Sequence, residues 1–171
     1  MNRWMLLAAL ALAIPAPAPA SLLPAEMREL AVSGLLDFDT GAGTLVDFDL
    51  FFGYFVTDGV EVGLEAAIRD DDVWTFWSAG LRAERNFDLG TEFVPYLGLS
   101  LAYGEAESEV SDDTGSAAIL GGQVGVKYFL TEYLALSVAL VAEAATDDVF
   151  PADDGADNTN AKIELGIRCF F

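Results

Sequence analysis

Apolar and polar residues alternate along two neighbouring runs of the chain, residues 46–56 and 60–69, with Thr57-Asp58-Gly59 between them. Asp-Gly between two alternating runs is a strong short-range signal for a β-hairpin. One face of this predicted hairpin is apolar and carries Val46, Phe48, Leu50, Phe52, Tyr54, Val60, Val62, Leu64, Ala66 and Ile68. The opposite face carries Asp47, Asp49, Gly53, Glu61, Gly63, Glu65 and Arg69. A broad aromatic face opposite a face of charges and glycines is typical of a transmembrane β-barrel, whose lipid side is apolar and whose lumen is polar.

The same alternation recurs in six further segments, which are residues 29–37, 74–87, 93–105, 117–130, 134–145 and 160–171. Strands of about ten residues are longer than those of soluble sheets and suit a tilted membrane crossing. The breaks at residues 57–59, 88–92 and 131–133 are short, whereas those at residues 106–115 and 146–159 are long and acidic. We therefore predict an all-β fold, an eight-stranded antiparallel up-and-down transmembrane β-barrel.

The composition agrees with a separation of apolar and charged surfaces. Hydrophobic residues make up 53% of the chain, yet the formal net charge is −20. A barrel accommodates both, because apolar residues face lipid while acids lie in the lumen and the loops. The length of 171 residues allows one domain of ordinary size.

Residues 1–20 have the features of a secretory leader. Arg3 is followed by an apolar stretch from Trp4 to Ile14 and by the small-residue sequence Ala18-Pro19-Ala20. We predict a signal peptide over residues 1–20 and a barrel domain over residues 21–171. Removal of the leader takes away one arginine and no acid, so the formal charge becomes −21. Cys169 is the only cysteine, and no intramolecular disulfide is expected.

Two phrases of the sequence and its last residue carry a family resemblance. The phrases are GYFVTDGVEVG at residues 53–63 and GVKYFLTEYLAL at residues 125–136, and the last residue is Phe171. Together with the strand pattern, they resemble the small eight-stranded outer-membrane β-barrels of Gram-negative bacteria, the OmpX-like and OmpA-N-terminal-like group. The resemblance implies a place in the bacterial outer membrane, among lipid and lipopolysaccharide. It also implies that Phe171 is an assembly signal that the outer-membrane insertion machinery reads.

Charged residues on the predicted inner face form the main candidate site. The acids are Glu29, Asp37, Asp47, Asp49, Glu61, Glu65, Glu84, Glu143 and Glu164, and the bases are Arg69, Arg82, Lys127, Lys162 and Arg168. Side chains just fill the interior of an eight-stranded barrel, and charges there must pair or meet water. We expect a lumen charge network that fills the barrel. The alternative is a path for small ions, which would make the protein a narrow cation-preferring pore.

Acids also gather in the predicted outer breaks, at Asp70, Asp71, Asp72, Glu107, Glu109, Asp112, Asp113, Asp147, Asp148, Asp153, Asp154 and Asp157. They predict a solvated anionic surface. Carboxylates also supply the oxygen ligands that calcium and magnesium prefer, so weak divalent-ion bridging to lipopolysaccharide is the second interpretation. We expect no dedicated metal or cofactor site, because the spacing of these acids lacks the alternating ligands of a calcium loop.

Other function classes are disfavoured. The chain has no histidine to act as a general base, so we expect no enzyme. Only 8 lysines and arginines are present, which disfavours nucleic acid as a partner. The leading expectation is therefore a monomeric barrel with a structural or surface-interaction role through its acidic loops. Aromatic residues near the predicted strand ends are expected to lie in interfacial girdles; these are Trp74, Trp77, Phe87, Phe93, Tyr103, Tyr128, Tyr133 and Phe171.

Overall fold

The computed structural model describes residues 23–40, 43–70, 74–108, 114–152 and 155–171. The predicted leader lies outside the described residues, as do Asp71, Asp72, Glu109, Asp112, Asp113, Asp153 and Asp154 and the side chain of Asp37. The part of the chain that is described contains no helix long and apolar enough to cross a membrane.

Eight long strands close into one barrel. They are β1 (Arg28–Thr40), β2 (Gly43–Thr57), β3 (Val60–Asp70), β4 (Trp74–Asn86), β5 (Phe93–Ser108), β6 (Thr114–Thr131), β7 (Leu134–Ala145) and β10 (Thr159–Phe170). Each strand pairs antiparallel with its neighbours in the order β1-β10-β7-β6-β5-β4-β3-β2, and β2 pairs back onto β1. The predicted fold, an eight-stranded antiparallel up-and-down barrel, is confirmed.

Alternation decides which side chains face outward. Leu64, Leu81, Leu101 and Ile163 are each more than 60% exposed, and all lie on the apolar face of their strands. The residues on either side of each outward residue point into the barrel. Asp47 and Arg69, which pair across β2 and β3, are an example, since they precede and follow the outward residues Phe48 and Ile68. This period of two gives the barrel an apolar outer surface and a charged interior.

The longest predicted break, residues 146–159, contains a small two-stranded hairpin of β8 (Phe150–Ala152) and β9 (Gly155–Asp157). The sequence pattern predicted only a break there, because two strands of three residues each carry too little alternation to be recognised. The break at residues 106–115 is also shorter than predicted, since β5 continues to Ser108 and β6 begins at Thr114.

The two ends of the barrel differ in their connections. We call the end with the tight turns after β2 and β6 and the connection of residues 87–92 the turn end, and the opposite end the loop end. Each is filled by buried apolar side chains. The loop-end cluster consists of Phe76, Ala102, Ala106, Ala117, Ile119, Val149 and Phe150. The turn-end cluster consists of Leu23, Phe55, Val94, Phe129, Ala135 and Phe170.

Trp74 packs against the loop-end cluster. Its predicted place in a lipid-facing girdle is therefore wrong: Trp74 and Phe76 are two residues apart on β4 and share the inward face. Trp77, on the opposite face, is 42% exposed and contacts Tyr103 edge-on, with ring centroids 6.2 Å apart.

Candidate functional site

The interior between the two apolar clusters holds the charged residues that the sequence singled out. Eight carboxylates and five bases have described side chains, and each lies on the inward face of its strand. They separate into two groups. The central cluster, nearer the turn end, consists of Glu29, Glu61, Glu84, Lys127 and Arg168. The loop-side network consists of Asp47, Asp49, Glu65, Arg69, Arg82, Glu143, Lys162 and Glu164.

Lys127 forms the middle of the central cluster. Its Nζ lies 2.7 Å from Glu29 Oε2, 3.0 Å from Glu84 Oε2 and 3.5 Å from Glu61 Oε2. All four side chains have 0% exposure, although they come from four different strands. A buried ion pair needs close geometry and further hydrogen bonds to offset desolvation, and the 2.7 and 3.0 Å contacts meet that condition.

Arg168 on β10 joins the same cluster from the other side. Its Nη1 donates to Glu29 Oε1 at 2.5 Å and to Glu84 Oε2 at 3.1 Å, and its Nη2 donates to the Tyr96 hydroxyl at 2.8 Å. Gln123 Nε2 donates to Glu84 Oε1 at 2.7 Å. Tyr96 and Gln123 were not among the candidate residues of the sequence. The signal that could have found them is a polar side chain on the inward row of its strand, where it needs a partner.

In the part of the loop-side network nearer the loop end, two bases each form ion pairs with at least two acids. Arg69 Nε lies 3.2 Å from Asp47 Oδ2, and Arg69 Nη2 lies 3.0 Å from Glu143 Oε2. Lys162 Nζ lies 2.6 Å from Asp49 Oδ2 and 3.2 Å from Asp47 Oδ2. The Arg69 guanidinium also lies 5.4 Å from the centre of the Phe76 ring, which connects the network to the loop-end cluster.

A small cavity of about 20 Å³ lies inside the loop-side network. Its lining includes Asp49, Glu65, Arg82, Glu143 and Lys162. A polar cavity of that size holds about one water molecule. Glu65 and Arg82 pair across its wall, with Arg82 Nε 2.7 Å from Glu65 Oε2.

Three carboxylates of the central cluster lie close together. One oxygen each from Glu29, Glu61 and Glu84 lie within 4.8 Å of one another. The Lys127 ammonium lies among them and supplies one of the positive charges that three buried carboxylates need for neutralisation. The interior of the barrel therefore consists of paired charged side chains, with the loop-end cluster on one side and the turn-end cluster on the other.

Comparison with known proteins shows how this fold is related to others. The sequence matches the model of the outer membrane protein β-barrel domain over residues 5–168. A search of curated proteins found no match. The N-terminal β-barrel domain of Pseudomonas aeruginosa OprF is 22% identical, with a TM-score of 0.64, over 86% of this chain and 98% of that one.

Two further solved structures have the same fold. Neisserial surface protein A is 16% identical, with a TM-score of 0.64, over 86% of this chain and 98% of that one. OprG from Pseudomonas aeruginosa is 15% identical, with a TM-score of 0.51, over 89% of this chain and 99% of that one. The family match covers nearly the whole chain. This protein therefore belongs to the outer membrane protein β-barrel domain family and lies in the bacterial outer membrane.

Proposed function

We propose that this protein is a sealed, non-conducting outer-membrane barrel that supports the cell envelope and presents acidic loops to the outside. One observation carries the proposal. Arg168 on β10 lies 3.1 Å from Glu84 on β4, and these strands are four places apart in a ring of eight. The pair therefore spans the full cross-section of the lumen.

Apolar side chains on both sides of this pair support the same interpretation. An ion that entered from the loop end would meet Phe76 and Phe150, which are 1% and 2% exposed. One that entered from the turn end would meet Phe129 and Phe170, whose ring centroids are 5.0 Å apart. Three barriers in series oppose conduction, because each would force an ion to lose its water.

The test is single-channel recording of the refolded protein in a planar bilayer, with and without millimolar calcium. We expect no conductance steps, provided that insertion is confirmed independently by protease protection. Leakage of a small dye from protein-loaded vesicles gives a second readout, and a sealed barrel should add none. Stable conductance steps in the wild-type protein would refute the proposal.

A narrow cation-preferring pore is the second candidate, and the excess of carboxylates favours it. Eight acids and five bases lie in the interior, so any permeating ion would meet a negative field. Such a pore would need a continuous wet path past Arg82, Lys127 and Arg168. Cation-selective steps that grow when Arg168 is replaced by Gln would establish it.

The second part of the proposal concerns the loop end, which in this family faces the outside because the short turns face the periplasm. Asp70, Glu107, Asp147, Asp148 and Asp157 are exposed there. The sequence has no lysine or arginine at residues 70–73, 106–115 or 146–158. We propose that these acids bind divalent cations weakly and bridge to lipopolysaccharide phosphates, with dissociation constants of about 0.1–1 mM or weaker. Calorimetric titration of the refolded protein with calcium tests this, and an absence of heat at 10 mM would refute it.

Assembly and oligomeric state complete the proposal. Phe171 is 60% exposed at the turn end, and its N–H donates to the Arg28 carbonyl at 3.0 Å. An exposed terminal aromatic on the closing strand suits recognition by the insertion machinery. All eight long strands pair on both sides, so no whole strand edge requires a second copy, and we propose a monomer. Sedimentation in micelles would detect a stable dimer.

A further inference from the structure

The charges of the central cluster do not balance. Glu29, Glu61 and Glu84 contribute three carboxylates, whereas Lys127 and Arg168 contribute two positive charges. All of these side chains are at most 2% exposed. A buried charge without compensation is strongly destabilising, and this cluster has one carboxylate in excess of its bases.

Glu61 is the carboxylate that lacks compensation. Neither of its oxygens has a hydrogen-bond partner, and its exposure is 0%. Its nearest cation is Lys127, whose Nζ is 3.5 Å away, whereas the same ammonium lies 2.7 Å from Glu29. Buried polar atoms almost always have partners, so the two unsatisfied oxygens of Glu61 require an explanation.

Charged groups from several strands face Glu61. Glu29 comes from β1, Glu84 from β4, Lys127 from β6 and Arg168 from β10. Both bases are already engaged more closely elsewhere, since Arg168 bonds Glu29, Glu84 and the Tyr96 hydroxyl. Arg82 lies 3.8 Å from Glu84 and is paired with Glu65 at 2.7 Å. No base that contacts this cluster can therefore turn to Glu61 without leaving another acid unpaired.

We propose that the central cluster binds one exchangeable monovalent cation at Glu61, either a proton or an alkali ion. The bound charge makes the cluster neutral, with three carboxylates against three positive charges. A proton needs no extra room, whereas an alkali ion would have to settle between the oxygens of Glu61 and those of Glu29 and Glu84. The proposal concerns the folded barrel and does not depend on whether the lumen conducts.

The test is equilibrium unfolding of the refolded protein in urea, measured in neutral micelles. If the ligand is a proton, the folding equilibrium constant of wild type falls up to tenfold per pH unit between pH 6 and 9, because the folded state holds one more proton than the unfolded state. If the ligand is an alkali ion, the constant rises up to tenfold per tenfold increase in that ion at fixed pH and ionic strength.

Two variants make the result specific. Glu61→Gln keeps the shape of the side chain and removes the excess charge, so its stability should show neither dependence. Glu65→Gln removes a carboxylate outside the cluster whose side chain is 12% exposed and paired with Arg82; it should lower stability and keep the wild-type dependence. Wild-type stability that is flat in both titrations, or that responds as strongly in Glu61→Gln as in wild type, would overturn the proposal.

Discussion

Lys127→Met should be among the most destabilising single substitutions in the barrel. The methionine keeps most of the side-chain volume but removes the charge that lies 2.7 Å from Glu29, 3.0 Å from Glu84 and 3.5 Å from Glu61. Surface ion pairs contribute about 0–1 kcal/mol, but here every partner has 0% exposure. Removing one partner of a buried pair costs about 3–5 kcal/mol, and we expect a loss of that size.

The assay is urea unfolding of the refolded protein in micelles, followed by tryptophan fluorescence. Lys162→Met is the matched control, because Lys162 is 15% exposed and lines the small polar cavity; its loss should be smaller. Adding Glu29→Gln to Lys127→Met should recover at least about 1 kcal/mol, since coupled neighbours typically interact by 0.5–3 kcal/mol. A loss below about 1 kcal/mol in Lys127→Met would mean that water reaches the cluster and that the pair behaves like one on the surface.

Three other substitutions test the remaining features. Deleting Phe171 should lower the amount of protein in the outer-membrane fraction, and an unchanged amount would contradict its proposed role as an assembly signal. Leu101, 61% exposed on the lipid face, should cost about 2–4 kcal/mol when replaced by Arg, whereas the same change at Leu89 in the connection at the turn end should cost little. Gly53→Ala should cost about 1–3 kcal/mol in the urea assay, because the added Cβ would overlap the carboxylate of Glu61 on β3. Gly122→Ala should be tolerated, because there the added Cβ would meet only the Leu99 side chain, at 3.9 Å.

The faces of the strands were predictable because a period of two leaves only one choice per strand. Asp49 and Phe48 are neighbours in sequence, and burying one exposes the other. In any strand whose alternate residues are clearly apolar, the remaining residues can therefore be assigned to the inward face. The inner-face positions of Lys127 and Arg168 followed directly from this rule.

The apolar clusters at the two ends were not predicted. Phe55, Phe129 and Phe170 occupy inward positions at the ends of their strands, but alternation alone does not tell whether a barrel end is wet or closed. Leu23 precedes the first strand altogether and reaches the turn-end cluster because the Gly59 N–H donates to its carbonyl at 3.0 Å. Such contacts depend on the path of the chain around the barrel rim.

The sequence also did not predict which charged side chains contact each other across the lumen. Arg168 and Glu84 are 84 residues apart. Which inward residues meet depends on the tilt and stagger of the strands, because these set the height of each side chain along the barrel axis. A pattern of alternation gives the direction of a side chain and leaves its height undetermined.

The burial of the basic residues affects how easily proteases cut folded and unfolded copies of the protein. Seven lysines and arginines follow residue 20, the structure describes all of them, and Arg28 alone is exposed. Proteases with trypsin-like specificity cut after these residues, so the assembled barrel exposes one of the seven to them, whereas unfolding would expose all seven. Folding thus buries six of these seven cleavage points wholly or in large part, and we expect a periplasmic protease of this specificity to cut unfolded copies faster than assembled ones.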